Sequence, residues 1–272
     1  MPSHDLLAGP GKRVATALGD AATGMAMWEL WSTLGWNDIH QRYRRSLLGP
    51  FWITLSMGVM IATIGFVYAE LFRQAMFDYL PYLTLGFIVW ALISGIMQDS
   101  CTAFTGSEGI IRQVRAPYSV HIFRVLWRHV LIFAHNLVIY VVVMLLFGVR
   151  PDGALLLVVP GFALICLNGA WVGIFLAALN ARFRDLQPLV SNVIQIFFYV
   201  TPIIWRPQQL AEHPAIVYLN PLYHFVALLR MPLLGAAPPA ATWVVTITIT
   251  GFGLVAAGFF FGRYRGRIAY WL

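Results

Sequence analysis

Charge is what this chain has least of. Only 11% of its 272 residues are Asp, Glu, Lys or Arg, against about 25% in an ordinary soluble domain. A soluble domain of this length cannot cover its core with so little polar surface, so that class is excluded. Cysteine is nearly absent, and Cys101 and Cys166 both lie in apolar runs. They read as small buried hydrophobes, not as a disulfide framework. The 11 acids are scattered. Glu70 and Asp99 fall at opposite ends of adjacent apolar runs, so they offer no carboxylate pair for acid–base work. His121, His129 and His135 stand eight and six residues apart, which puts no two on one helix turn, and there is no HExxH. Around Lys12, the Gly9-Pro10-Gly11-Lys12 string lacks the upstream glycine of a phosphate loop and has Arg13 where Ser or Thr belongs. No metal, cofactor or nucleotide site is expected in this chain. No fixed-period repeat occurs, and residues 1–24 lack the apolar core of a secretory signal.

What is present is apolar: 60% of the residues are hydrophobic and the mean hydropathy is +0.74. That composition predicts an all-α polytopic membrane protein. A spanning helix needs about 20 apolar residues, and six uncharged runs are long enough: 46–69, 79–98, 129–149, 153–181, 186–205 and 231–262. Between the fifth and sixth, 213–229 is uncharged but short and broken by Pro214 and Pro221. It predicts two short re-entrant half-helices whose free backbone groups are covered by protein. Fourteen of the 18 basic residues fall on the side that holds the N-terminus; the other four are Arg73, Arg150, Arg206 and Arg230. The positive-inside bias therefore predicts cytoplasmic termini and accounts for the basic balance without nucleic acid.

The expected organisation is a cytoplasmic tail over 1–24, an interfacial amphipathic helix over 25–45, the six-span region over 46–262 and a cytoplasmic tail over 263–272. In the second segment Trp28, Trp31 and Trp36 mix with Glu29 and Asp38, which suits a helix with tryptophans at headgroup level; a plain cytoplasmic lead-in helix is the alternative. Gly169 and Gly173, extended by Ala177, form a small-residue stripe suited to close helix packing.

Four strings stand out: Arg42-Tyr43-Arg44-Arg45 running into Gly49-Pro50-Phe51-Trp52; Arg182-Phe183-Arg184-Asp185; Asn220-Pro221-Leu222-Tyr223-His224; and Arg267-Ile268-Ala269-Tyr270-Trp271. From about Arg42 to the C-terminus, their order and spacing resemble the membrane subunits of bacterial type-2 ABC exporters, and within them the permeases that export O-antigen and related cell-surface polysaccharides. The resemblance implies a homodimeric permease of the inner membrane with two copies of a separate nucleotide-binding subunit, which holds ATP and Mg. It also implies a substrate glycan on an undecaprenyl-pyrophosphate carrier. Capsule and teichoic-acid exporters share the architecture, as do type-2 exporters of lipids or drugs.

A glycan cannot cross lipid without a polar path, because each unsatisfied hydroxyl costs several kcal/mol. Such a path fits between two subunits. Sugar C–H faces lie flat on aromatic rings, which makes Trp52, Tyr68, Phe72, Phe197, Phe198, Tyr199 and Trp205 the candidate lining; ordinary interfacial belts and core packing are the plainer roles. For the pyrophosphate, Arg42, Arg44 and Arg45 are the candidates, with orientation of the first span as the plainer role. The resemblance implies a coupling helix in the loop from Thr105 to Ser119, docked on the nucleotide-binding subunit. Glu108 and Arg112 would pair at i, i+4, and Ile110, Ile111 and Val114 would form the docking face. A membrane-embedded glycosyltransferase would need grouped carboxylates or metal ligands, which the sequence lacks. A scaffolding protein would have no ATPase partner.

Overall fold

The computed structural model describes residues 10–42, 44, 49, 51–114 and 116–272, with the side chains of Pro10, Lys12 and Arg42 outside the described set. Among the described residues every regular element is helical: α1 Pro10–Ala26, α2 Trp28–Arg42, α3 Phe51–Leu71, α4 Met76–Cys101, α5 Glu108–Gln113, α6 Ser119–Phe147, α7 Val158–Arg182, α8 Leu186–Val200, α9 Pro214–Tyr218, α10 Pro221–Leu233 and α11 Ala240–Trp271.

Five helices are long and apolar enough to cross a membrane: α3, α4, α6, α7 with the turn preceding it, and α11. The chain is a multi-pass membrane protein. The remaining uncharged run, 186–205, is helical only over the 15 residues of α8. At 1.5 Å per residue that is about 22 Å, short of a roughly 30 Å hydrocarbon layer. Pro202 is the local cause: it has no N–H to continue the ladder and pushes Thr201 to an extended backbone, with ψ 134°. The 213–229 segment forms α9, of 5 residues, and α10, of 13. Asn220 starts α10 by accepting from Leu222 N at 2.9 Å, ahead of Pro221 at the first helical position, a favoured opening.

α4 is the hub. Its side chains are buried along nearly the whole length, and α3, α6, α7, α8 and α10 pack around it. The Gly169–Gly173–Ala177 stripe of α7 is buried. A Cβ on Gly173 would stand 2.9 Å from Ser100 Oγ of α4 and 3.1 Å from Ile122 of α6, so glycine is what allows this approach.

Three elements differ from expectation in extent. Residues 10–26, which cover most of the expected 1–24 tail and the first two residues of the expected interfacial segment, form α1, which packs on α6 and α11. α6 begins at Ser119, ten residues ahead of the uncharged run, because Arg124 and Arg128 are neutralised inside the protein. α11 likewise carries the basic 263–267 stretch as continued helix.

Candidate functional site

The end of the bundle that holds the N-terminal helices is organised by charge. Asp38 of α2 accepts from Arg124 Nε at 2.8 Å and Nη2 at 2.5 Å, and from Arg128 Nη1 at 2.8 Å. Arg128 Nη2 reaches Asp99 of α4 at 2.7 Å, and His129 Nε2 lies 2.8 Å from the same carboxylate. Three helices are thus tied through one half-buried network. A second tie is Asp20 of α1, whose side chain is fully buried. It accepts from the backbone N–H groups of Ser119 at 3.0 Å and Tyr118 at 3.3 Å, and from Arg265 Nε of α11 at 2.9 Å. A carboxylate at the N-terminus of α6 also suits the helix dipole. Neither network is legible from local spacing, since Asp20 and Ser119 are 99 residues apart.

Between these ties stands α5. Arg112 Nη2 and Glu108 Oε1 pair at 2.9 Å across one turn, as the i, i+4 spacing suggests. Ile110 and Val114 are exposed, whereas Ile111 is half-buried against the core. With Val114 it lines a cavity of about 660 Å³ that runs to Asp20 and Thr23 of α1. The candidate docking residues therefore divide: Ile110 looks outward, Ile111 faces the α1 cavity, and Val114 lines that cavity while remaining exposed. A second, polar cavity of about 120 Å³ lies under the Thr102–Ser107 turn, against His121, Arg124 and Arg128.

At the elbow, Gly49 has φ +55°, which glycine adopts freely, and its carbonyl accepts from Trp52 N at 3.2 Å. Arg44 is exposed. The side chain of Arg42 and the whole of Arg45 lie outside the described residues, so the structure places only one of the three candidates.

The seven candidate aromatic residues fall into three places. Trp52 is half exposed at the start of α3, apart from the others. Tyr68 and Phe72 meet at a tilt of 55° at the far end of that helix with centroids 5.4 Å apart, and Phe72 meets Tyr79 of α4 edge-on at 6.5 Å. Phe197, Phe198, Tyr199 and Trp205 belong to α8 and its continuation. Phe198 packs between Phe87 and Trp90 of α4, and Phe197 is half-buried. Tyr199 is 63% exposed, and its carbonyl accepts from Trp205 Nε1 at 3.0 Å.

Sequence reasoning missed the clamp that joins the last two groups. The chain after α8 is not helical, and its carbonyls are met by side chains. Tyr79 Oη donates to Ile204 O at 2.6 Å, and Tyr82 Oη reaches Pro202 O at 2.9 Å and Trp205 O at 3.1 Å. Arg230 Nη1 donates to Pro202 O at 2.7 Å, and Asn220 Nδ2 to Thr201 Oγ1 at 2.8 Å. Non-helical backbone at membrane depth is tolerated only when satisfied in this way. Asn220 and Arg230 stood out in the sequence; Tyr79 and Tyr82 carried no signal beyond being tyrosines in an apolar run.

Residues 29–234 match the family described as ABC-2 type transporter. Among curated proteins, the O-antigen export system permease protein RfbA of Myxococcus xanthus is 25% identical over 189 residues, covering 68% of this chain and 72% of that protein. A Klebsiella pneumoniae protein of the same name is 27% identical over 190 residues, with 68% and 72% covered. Another from that organism is 25% identical over 237 residues, with 85% and 90% covered.

Proposed function

This chain belongs to the ABC-2 type transporter family, and from that premise we propose that it is the permease subunit of an exporter for undecaprenyl-pyrophosphate-linked polysaccharide of the O-antigen kind. The names of its relatives support the substrate class. In this reading two copies form the path in the bacterial inner membrane, both termini are cytoplasmic, and two copies of a separate ATPase subunit supply the energy. α8 with its clamped continuation serves as the fifth of six spans, and α9 and α10 are the re-entrant pair on the outer side.

The observation that carries the reading is the exposed face of α8. Gln187, Ser191, Gln195 and Tyr199 recur every four residues along it, and Gln187, Gln195 and Tyr199 are exposed. Acyl chains offer these groups no hydrogen bonds, and polar side chains at this depth face a partner or a polar cavity. A second copy set against this face makes a seam lined by amides, hydroxyls and rings, which is the lining a sugar chain needs. Tyr199 and Trp205 supply ring faces, with Tyr68 and Phe72 at the outer end of α3 and Trp52 near the inner end; Phe197 and Phe198 hold α8 to the hub.

At the inner side, Arg42, Arg44 and Arg45 at the Gly49 elbow meet the carrier's pyrophosphate. α5 takes the thrust of the ATPase through Ile110 and Val114. Glu108 and Arg112 brace the helix, and Ile111 passes the displacement toward α1.

The test is genetic. Expressed with its neighbouring ATPase in a strain that makes the polymer, the pair should deliver glycan to the surface. Deleting either gene should leave lipid-linked polymer in the cytoplasm. Surface polymer that persists without this chain refutes the reading.

A further inference from the structure

At the end of the bundle opposite the charge networks, a cavity of about 280 Å³ is lined by Asp78, Tyr82, Arg206, Tyr223 and Arg230, with the exposed Gln208 beside it. Arg230 is only 3% exposed. Its guanidinium stands 4.1 Å above the Tyr82 ring, and its one hydrogen bond to backbone is to Pro202 O. Arg206 lies 5.3 Å from the centre of the same ring and donates to the backbone carbonyl of Asp78 at 2.7 Å. Its Nε is buried without a hydrogen-bond partner.

Two cations therefore share one tyrosine ring. Among the described residues neither forms an ion pair with a carboxylate, whereas Arg124, Arg128 and Arg265 each do. Carbonyls and a ring face satisfy donors and polarise favourably, but they do not cancel charge; Asp78 in the same lining offsets one of the two cations, which leaves a net positive charge beside the nearly buried Arg230. The excess of positive charge, the unused Arg206 donor and a cavity far larger than the roughly 30 Å³ of one water all suit an oxyanion. Guanidinium forks match phosphate oxygens well. The cavity opens at the start of α4 and at α10, the level at which headgroup phosphates stand if the termini are cytoplasmic.

We propose that Arg206 and Arg230 form a phosphate-binding site on the outer face of the permease, occupied by the phosphate of a lipid headgroup that carries net negative charge. The site rests on the proposed function only for being placed on the outer side. Phosphate binding is measured without transport, so either idea can fail alone.

The experiment titrates the purified full chain, in a nonionic detergent, with three probes: dihexanoyl phosphatidic acid, dihexanoyl phosphatidylcholine and inorganic phosphate. Thermal unfolding gives the apparent affinity. Phosphatidic acid should stabilise the protein saturably, and phosphatidylcholine, whose headgroup carries no net charge, should not. Arg206→Gln should weaken the phosphatidic acid response at least about tenfold, the loss expected of one charge-assisted contact. Arg230→Gln should do the same; because Arg230 also holds Pro202, Arg206→Gln decides if that variant does not fold. Saturation by inorganic phosphate at similar concentration identifies the free anion as sufficient, and its failure beside a response to phosphatidic acid identifies the lipid. The proposal is overturned by no saturable response to either phosphate probe, by an equal response to phosphatidylcholine, or by an unchanged affinity in Arg206→Gln.

Discussion

Replacing Asp20 by alanine should unlatch α1 from the bundle. The carboxylate is fully buried and accepts three hydrogen bonds, two from the amides of Tyr118 and Ser119 where α6 begins and one from Arg265. Hydrogen bonds to a charged acceptor are worth about 1.5–3 kcal/mol each, and breaking a buried pair costs about 3–5 kcal/mol through the charge left behind. Arg265 is 38% exposed, so water takes over part of its loss, and the freed α6 amides carry the rest. A loss of about 3 kcal/mol is expected for Asp20→Ala. Asp20→Asn, which keeps one acceptor, should lose about half of that. Arg265→Met leaves the fully buried Asp20 carboxylate without its cation, held by two amides alone, and should cost about 2–3 kcal/mol. Equilibrium unfolding in mixed micelles, read by tryptophan fluorescence, measures all three. If Asp20→Ala lies within about 0.5 kcal/mol of the parent, or Arg265→Met costs nothing, the account of this latch is wrong.

Four further outcomes follow from the geometry. Arg128→Met leaves Asp38 and Asp99 without their shared cation and should cost about 2–3 kcal/mol; in a double-mutant cycle with Asp38→Asn the two losses should be strongly non-additive. Tyr199→Ala should reduce surface polymer with no change in melting temperature, whereas Phe198→Ala, which empties a place between Phe87 and Trp90, should lower melting temperature first; equal melting losses would contradict the separation of roles. Val114→Glu should uncouple ATP hydrolysis from export in the assembled transporter, while Gly173→Leu, with no room for even one added carbon beside Ser100 and Ile122, should abolish stable expression.

The sequence announces those parts of the structure that follow from local composition. Long uncharged runs mark α3, α4, α6, α7 and α11 because a membrane helix satisfies its own backbone and needs only apolar side chains. Asn220 and Pro221 mark the start of α10 for an equally local reason. α8 reads as a full span because hydropathy is blind to whether carbonyls at Pro202, Ile204 and Trp205 are bonded to a helix or to tyrosines from α4. α1 is hidden by Gly19 and Gly24, poor helix formers; yet Gly24 is where the helix comes close against Ser119, and that contact exists only once α6 is in place. The start of α6 is missed because arginine counts against a span in any window, whereas Arg124 and Arg128 meet Asp38 and Asp99 from other helices. The candidate aromatic set was legible as residue types, but its division between exposed Tyr199 and packed Phe198 depends on which way α8 lies on the hub.

The clamp on the chain beyond α8 also dictates the order in which the molecule can be completed. Tyr79 and its partner carbonyl at Ile204 are separated by 125 positions, and Tyr82 and Pro202 by 120, while Arg230, the third member, emerges later still. During synthesis α4 therefore enters the bilayer long before the groups that will occupy its two tyrosine hydroxyls exist. A nascent chain that stops short of α10 holds the hub helix but not the anchor at its far end, and the bundle closes only when almost the entire polypeptide has left the ribosome.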